Sequence, residues 1–179
     1  MTVINTNIAP VKIIEQFRAE DHRGVFIKTF HQAQLAEAGI DFTLKESFYS
    51  VSHQHVLRGM HFHTPPHDHA KIVFCTQGSI LDVALDLRKQ SPTYGQAVSC
   101  ELSHENHRAL YIPKGFAHGF LTLTPQATTF YLVDGVYQAD ADGGVLYNSF
   151  HFNWPITNEP IISNRDLQFL PLSQFQSPF

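Results

Sequence analysis

The sequence predicts an all-β fold, a closed β-sandwich or barrel of the jelly-roll kind, in one domain spanning residues 1–179. Two observations carry this prediction. After residue 50, short apolar stretches punctuated by Gly and Pro recur at intervals of about ten residues, a rhythm typical of many short strands joined by turns. In residues 80–87 every odd position is Leu or Val, whereas Asp stands only at even positions. This period of two indicates a strand.

The elements follow in chain order. Residues 31–40 (HQAQLAEAGI) are rich in Ala, Gln and Leu and close with Gly39, so they predict one short N-terminal helix. The last stretch, residues 162–179, has little periodicity and predicts an irregular or helical tail on the outside of the fold. Strands are predicted at residues 71–75, 80–87, 96–103, 108–113, 119–124 and 128–138.

Composition and charge exclude several classes of protein. The net charge is −4 and no basic run stands out, so nucleic acid is not an expected partner. The N-terminus has no cationic start followed by an apolar run, and no stretch is long and apolar enough to span a membrane. We therefore expect a cytoplasmic protein with no membrane partner. Cys75 and Cys100 lie in strand-like runs, which favours free buried thiols over a disulfide.

Histidines are concentrated in one segment. The chain has 12 histidines, and four of them lie within residues 59–73 (GMHFHTPPHDHAKIV). His61 and His63 are two apart on a strand, so their side chains share one face. With His118 they form a set of three imidazoles that could hold Fe, Mn, Ni or Zn, and Asp68 is the available carboxylate. A metal-dependent cupin enzyme is therefore one candidate function.

Other features of the segment disfavour a metal site. The carboxylate in such motifs is usually Glu, and the basic Lys71 lies close by. The run TPPHDH has the composition of a turn, which would aim His67, Asp68 and His69 at solvent. The sequence therefore predicts no metal ligands, and proton transfer by a histidine is the favoured function of this segment.

The longer motifs of the chain resemble one family. The runs VLRGMHFH, GSILDVALDLRKQSPTYGQ, ELSHENHRALYIPKGFAHGF, FYLVDGVYQ and ISNRD are similar to those of the dTDP-4-dehydrorhamnose 3,5-epimerase family, from about Arg23 to Asp166. The resemblance implies a cupin fold, also called a double-stranded β-helix jelly roll. It implies an epimerase that inverts C3, C5 or both in a nucleotide-linked 4-keto-6-deoxy sugar, with no cofactor and no metal.

The resemblance also assigns catalytic roles. Protons at C3 and C5 are weakly acidic because both carbons flank the C4 carbonyl, so the reaction needs a base, an acid on the opposite face and a cation at the enolate oxygen. His61 matches the family's base and Asp166 the carboxylate that orients it. Tyr131 matches the acid and Lys71 the enolate-stabilising group. We also expect Asp82 to orient Lys71, and Arg58, His61 and Lys71 to lie in one strand pair.

Further positions match substrate contacts of the family. Arg23, Arg58 and His118 correspond to groups that grip the diphosphate. Phe26 and Tyr137 correspond to aromatic contacts near the base and sugar. Asp142 and Arg165 correspond to an acidic and a basic contact. In the family the segment around Arg23 comes from the partner subunit through an exchanged N-terminal strand, so the resemblance implies a homodimer.

Several positions depart from the family pattern. Lys28 stands where Glu is common, and Glu46, Ser47 and Phe48 replace Gln-Asp-Asn. His63 stands where Gln is usual, and residues 147–154 (YNSFHFNW) replace a Trp-[Asn/Asp]-Asp-Pro stretch. These changes predict that the catalytic groups are kept while ligand contacts at Lys28, Glu46, Phe48 and His63 are altered. The nucleotide preference is then expected to depart from strict dTDP, with GDP open. A non-catalytic module that binds sugar nucleotides is a further alternative.

Overall fold

The computed structural model describes all residues from Met1 to Phe179. The regular secondary structure is almost entirely β, which confirms the all-β prediction, and the chain contains no helix long and apolar enough to cross a membrane. The two α-helices are α1 (Gln32–Glu37) and α2 (Asn164–Leu167), and 3-10 turns occupy Ala139–Ala141 and Leu172–Gln174. The strands are β1 (Thr2–Asn5), β2 (Lys12–Glu15), β3 (Phe17–Asp21), β4 (Gly24–Lys28), β5 (Glu46–His53), β6 (Leu57–His63), β7 (Lys71–Gln77), β8 (Ser79–Asp86), β9 (Ala97–Ser103), β10 (Arg108–Ile112), β11 (Phe116–Thr122), β12 (Gln126–Val133) and β13 (Asp142–Gly144).

Two antiparallel sheets form the body of the fold. The first has six strands in the order β1-β2-β10-β7-β12-β5, and the second has five in the order β13-β6-β11-β8-β9. The hairpin β3–β4 pairs only with itself. Consecutive strands β6, β7 and β8 alternate between the two sheets, so the chain repeatedly crosses from one layer to the other.

Both faces of β8 are buried, each in a different apolar cluster. Ile80 and Ala84 point into the main core with residues of the six-stranded sheet, such as Val73. Val83 and Leu85 point the other way and form a separate apolar cluster. The C-terminal part of the chain, including Phe150, Phe175 and Phe179, packs on this second cluster. The tail therefore covers the outer face of the five-stranded sheet, as predicted.

The helix near the N-terminus is shorter than predicted. His31 caps α1 by accepting a hydrogen bond at Nδ1 from the backbone N–H of Gln34 (3.4 Å). The helix ends at Glu37 because Gly39 takes a left-handed conformation (φ +78°), which terminates helices. The predicted range 31–40 thus included the cap and the residues that end the helix.

The predicted strand at residues 128–138 also ran too far. Strand β12 ends at Val133, and the following Asp134 turns its carboxylate to accept a hydrogen bond from the backbone N–H of Ala70 (2.6 Å). The other predicted strands match β7 to β11 within a few residues. Cys75 and Cys100 are both buried free thiols.

Candidate active site

A cavity of about 440 Å³ lies between the two sheets. Strands β5, β7 and β12 form one wall, and strands β6, β11 and β13 form the facing wall. Nine of its 13 lining residues are polar or charged, although it occupies the place where a jelly roll usually packs apolar side chains. The lining residues are Glu46, Phe48, Ser50, Arg58, His61, His63, Lys71, His118, Phe120, Tyr131, Tyr137, Asp142 and Arg165.

Lys71 faces Arg58 and His61 across this cavity. The prediction that all three lie in one strand pair is wrong, because β6 pairs with β11 and β13, whereas β7 pairs with β10 and β12. The turn after His63 carries the chain from one sheet to the other. The cavity can therefore present different groups to the two faces of a bound molecule.

His61 is held by a buried carboxylate. Its Nε2 donates to Asp166 Oδ1 (2.9 Å), and Asp166 Oδ2 accepts from the backbone N–H of Gly59 (3.0 Å). Burial opposes ionisation of Asp166, but the hydrogen bonds from His61 and Gly59 hold its pKa below the usual value. With Nε2 protonated, the neutral ring keeps a lone pair on Nδ1. This imidazole is therefore oriented to accept a proton, and Asp166 can stabilise the imidazolium.

Two local features place Asp166 behind His61. Asp166 lies in the first turn of α2, where Ser163 caps the helix by accepting from the N–H of Asp166 (3.1 Å). Gly59 has φ +128°, and a Cβ there would lie 2.5 Å from the Cα of Gly119 on β11. Only glycine satisfies both the left-handed backbone and the close approach of the two strands. The glycine of the Arg-Gly pair before the histidine thus allows the backbone conformation in which its N–H reaches Asp166.

His118 has its own carboxylate partner. Its Nε2 hydrogen-bonds to Asp82 Oδ1 at 2.6 Å, and both side chains are buried. Burial raises the pKa of Asp82, an effect opposed by His118 and Lys71. The inward face of β8 brings Asp82 beside the neighbouring β11. Asp82 thus hydrogen-bonds His118 and not Lys71, which corrects the expected role of this residue.

Lys71 and Tyr131 project from the six-stranded sheet. Lys71 has no carboxylate within ion-pair distance, and burial lowers its pKa to about 8, partly offset by Asp142 and Asp82. Burial also raises the pKa of Tyr131, so its phenol keeps its proton at neutral pH. The Tyr131 ring stacks on Phe48, with 4.7 Å between ring centroids. The wall opposite His61 therefore carries a cation and a proton donor.

The cavity lining also contains an ion pair. Arg165 pairs with Asp142 (2.9 Å), and the Tyr137 hydroxyl donates to the same carboxylate (3.4 Å). The backbone N–H of Tyr137 donates to the Glu46 carboxylate (3.3 Å). Arg58, by contrast, has no carboxylate partner and donates through Nε to the Ser52 hydroxyl (3.1 Å). Arg58 is thus the guanidinium available to an anionic ligand.

The geometry gives no support to the metal-dependent alternative. His61 and His118 are each engaged by a separate carboxylate. Nowhere in the structure do three or more His, Cys, Asp or Glu side chains cluster so that they could hold a metal ion. His67 is exposed, as predicted. The expectation that His69 points to solvent is wrong, because its ring is half-buried against His63 (4.4 Å between centroids).

Three predicted contacts lie outside the cavity of their own chain. Arg23, Phe26 and Lys28 belong to the hairpin β3–β4, where Arg23 pairs with Asp21 (2.6 Å). Two lining residues were not predicted, Ser50 and Phe120. The alternation of side chains along a strand could have identified both, because each lies two positions after a predicted contact on the same strand, Phe48 or His118.

Comparisons with known proteins agree with this arrangement. The family model described as dTDP-4-dehydrorhamnose 3,5-epimerase matches residues 5–174. An enzyme of that name from Salmonella typhimurium is 40% identical over 169 residues, covering 93% of this chain and 92% of the relative. A dTDP-4-dehydrorhamnose 3,5-epimerase structure from Bacillus anthracis with TDP and PPi bound has a TM-score of 0.92 at 40% identity and covers 96% of this chain and 99% of its own.

A further solved structure contains a nucleotide sugar. The dTDP-6-deoxy-D-glucose-3,5-epimerase of Legionella pneumophila, in complex with dTDP-4-keto-L-rhamnose, has a TM-score of 0.94 at 34% identity. The match covers 98% of this chain and 94% of the other. The likeness extends over nearly the whole chain and confirms the predicted cupin jelly roll.

Proposed function

Because the chain belongs to the dTDP-4-dehydrorhamnose 3,5-epimerase family, it is an epimerase of nucleotide-linked 4-keto sugars, and we propose that His61 and Tyr131 carry its proton transfers. One observation supports these roles above all. His61 and Tyr131 line the same cavity from opposite sheets, so a sugar ring between them meets a base on one face and an acid on the other. Inversion of a carbon requires such a pair.

The proposed reaction proceeds through an enolate. Nδ1 of His61 removes the proton from C3 or C5, and the electron pair of the broken C–H bond moves to the C4 oxygen. Lys71 stabilises the negative charge on that oxygen as an ammonium ion. The phenol of Tyr131 then protonates the carbon from the opposite face. Exchange of protons with water returns His61 and Tyr131 to their starting states.

We assign the diphosphate to the end of the cavity that holds Arg58 and His118. The choice of Arg58 is supported by its lack of a carboxylate partner, whereas Arg165 is already paired with Asp142. A guanidinium can make two parallel hydrogen bonds to phosphate oxygens. His118 adds an imidazole that Asp82 keeps in a fixed orientation.

Solvent deuterium incorporation tests the function directly. The purified protein should introduce deuterium at C3 and C5 of a nucleotide-linked 4-keto-6-deoxyglucose in D₂O, as followed by NMR. Comparing substrates linked to dTDP, GDP, UDP and CDP shows which nucleotide the enzyme prefers. Tight binding of a panel member without any deuterium incorporation would instead indicate the non-catalytic binding module.

We expect the nucleotide preference to depart from strict dTDP. Phe48 lines the cavity and stacks on Tyr131, in a position where the family commonly has an amide. Loss of a hydrogen-bonding partner costs about 1–3 kcal/mol, so dTDP should lose roughly one to two orders of magnitude in affinity relative to a site with Asn. Calorimetry with dTDP and GDP measures this.

The matched variant is Phe48→Asn, which restores the amide. It should tighten dTDP binding relative to GDP, whereas Tyr94→Asn, a change at an exposed residue outside this cavity, should leave the ratio unchanged. Clearly tighter binding of dTDP than of GDP by the wild-type protein would contradict a retuned base site.

We further propose a homodimer in which the β3–β4 hairpin reaches the partner's cavity. Strand β5 lies at the edge of the six-stranded sheet, with exposed apolar side chains at Phe48, Tyr49 and Val51. The hairpin also exposes apolar side chains, including Val25 and Phe26. An open strand edge and an apolar hairpin suit each other as an interface. Pairing them would bring Arg23, Phe26 and Lys28 of one subunit to the active site of the other.

Co-expression of two inactive variants tests this exchange. His61→Asn subunits keep Arg23, and Arg23→Ala subunits keep His61, so a mixed dimer has one complete site if the hairpins are exchanged. About a quarter of wild-type activity should return in a statistical mixture of twofold dimers. Each variant expressed alone is the control. No recovery in isolated mixed dimers would mean that each cavity uses its own chain's hairpin.

A further inference from the structure

Phe169 packs against the imidazole of His61. The centroids of the two rings are 5.7 Å apart, and the ring planes meet at 80°, which is an edge-on contact. Aromatic rings in such pairs have a preferred relative orientation. Phe169 does not line the cavity, so any effect it has on the reaction passes through its neighbours. The contact therefore concerns the orientation of the catalytic ring and not the binding of the ligand.

The space for Phe169 is left by Gly144. This glycine lies on β13 directly opposite His61 on β6. A Cβ at Gly144 would lie 2.2 Å from Cε2, 2.5 Å from Cζ and 2.6 Å from Cδ2 of the Phe169 ring. Gly144 is not in the left-handed region, so backbone strain does not explain the glycine. The missing side chain leaves the room that the Phe169 ring occupies beside His61.

One short segment supplies both neighbours of His61. Asp166 in α2 holds Nε2 of His61 (2.9 Å), and the N–H of Phe169 donates to the carbonyl of Asp166 (3.4 Å). The carbonyl of the next residue, Leu170, accepts a hydrogen bond from the N–H of Leu146 (3.0 Å). This bond ties the segment to the chain that follows β13. Asp166 and Phe169 thus reach His61 from the same anchored segment.

The Phe169 ring is itself held in place. The guanidinium of Arg165 lies over the ring, 5.3 Å from its centroid, where the negative face of the ring attracts the cation. Arg165 is fixed in turn by Asp142, through an ion pair (2.9 Å) and a hydrogen bond to the backbone carbonyl (3.3 Å). With the backbone of Gly144 close by, the ring is confined before a ligand arrives.

A single hydrogen bond does not fix the plane of an imidazole. The bond to Asp166 sets the position of Nε2, but the ring can still turn and swing Nδ1 away from the sugar. A rigid ring packed against the imidazole removes this freedom. Proton removal depends on such geometry, and a misplacement of about 1 Å can lower a rate roughly a hundredfold.

We propose that Phe169 is a positioning residue that fixes the plane of the His61 ring, so that Nδ1 stays directed at the sugar carbon. Gly144 provides the space for it. This inference rests on the proposed function, in which His61 is the base, and it adds a residue outside the cavity on which turnover depends.

Phe169→Met tests the proposal, because Met fills a similar volume with a flexible chain and has no rigid plane. The kcat for deuterium incorporation should fall about ten- to a hundredfold, while KM should stay within about twofold, since no ligand contact is lost. Phe175→Met is the matched control, because Phe175 packs on Phe62, the neighbour of His61 that faces away from the cavity. The control should keep the wild-type kcat. An unchanged kcat in Phe169→Met, a loss seen only in KM, or an equal loss in both variants would overturn the proposal.

Gly144→Ala tests the same contact from the other side. Its Cβ has to displace the Phe169 ring, so kcat should fall about tenfold or more in the otherwise wild-type protein. In a Phe169→Ala background the ring is absent, and the same substitution should cost much less, since changes at two residues in contact are not additive. Equal costs in the two backgrounds would overturn the proposal.

Nitrogen-15 NMR of the histidine rings tests the contact without catalysis. The His61 resonances are identified by their loss in His61→Asn. In the wild-type protein they should be narrow, with the proton on Nε2, and in Phe169→Met they should be broadened or doubled because the ring samples further orientations. Identical His61 resonances in the two proteins would overturn the proposal. If the wild-type protein incorporates no deuterium, the proposed function fails, but this comparison still decides whether Phe169 holds His61.

Discussion

His61→Asn is expected to lower kcat by at least about a hundredfold, the usual contribution of a positioned general base. Asn removes the basic nitrogen while its amide can still donate to Asp166, so the buried carboxylate keeps a partner. The fold should therefore remain intact, as judged by circular dichroism and thermal unfolding. The measurement is kcat for sugar epimerisation, together with the rate of deuterium incorporation at C3 and C5.

His67→Asn is the matched control for this variant. It makes the same chemical change four residues from the end of β6, at an exposed side chain outside the cavity, and it should keep wild-type turnover. A folded His61→Asn protein that still exchanges both sugar protons at a near-normal rate would exclude His61 as the base. Loss at only one carbon would mean that the other proton is removed by a different group.

Strands β7 to β12 could be predicted from the sequence because their inward and outward faces differ. In β8, for example, the odd positions from 81 to 87 are all apolar. The opposite face alternates Ile80 and Ala84 with Asp82 and Asp86, whose partners are His118 and Arg88. The period of two therefore survives in the sequence. Strands β3 and β4 gave no such signal, because nearly all of their residues are exposed on both faces.

The pairing of strands could not be predicted from local pattern. Adjacent segments such as β6 and β7 suggest a hairpin, yet they join opposite sheets. That choice depends on contacts between distant parts of the chain, such as His118 beside His61. The family motifs located most of the cavity-lining residues. They did not indicate that Asp82 bonds His118, because the register between β8 and β11 decides that contact.

Lys71→Met is expected to lower kcat/KM by roughly a hundred- to a thousandfold, the cost of removing one group that stabilises a developing oxyanion. Met has a similar length and flexibility but carries no charge, so it fills the space beside the C4 oxygen without stabilising the enolate. Lys89→Met makes the same change at a residue that does not line this cavity, and it should retain normal kinetics.

The dependence on pH distinguishes this role from a general effect on the site. Because the pKa of Lys71 is about 8, the ammonium form is present below that value and is lost as pH rises through it. The wild-type kcat/KM, which reports the free enzyme, should therefore fall above about pH 8. In Lys71→Met this alkaline decline should be absent, and only the low residual rate should remain. A decline that persists unchanged in the variant would assign it to another group.

The free energy of unfolding shows whether Lys71→Met loses activity through catalysis or through a less stable fold. Burial lowers the pKa of Lys71 from 10.5 to about 8 in the folded protein, so between these values the unfolded chain binds more protons than the folded one. The stability of the wild-type protein then rises with pH across that window, whereas Lys71→Met lacks this contribution. Below pH 8 the wild type buries an ammonium ion at a cost that Met avoids, so the variant should be at least as stable there. A variant that is inactive and also clearly less stable at pH 7 would contradict a purely electrostatic role for Lys71.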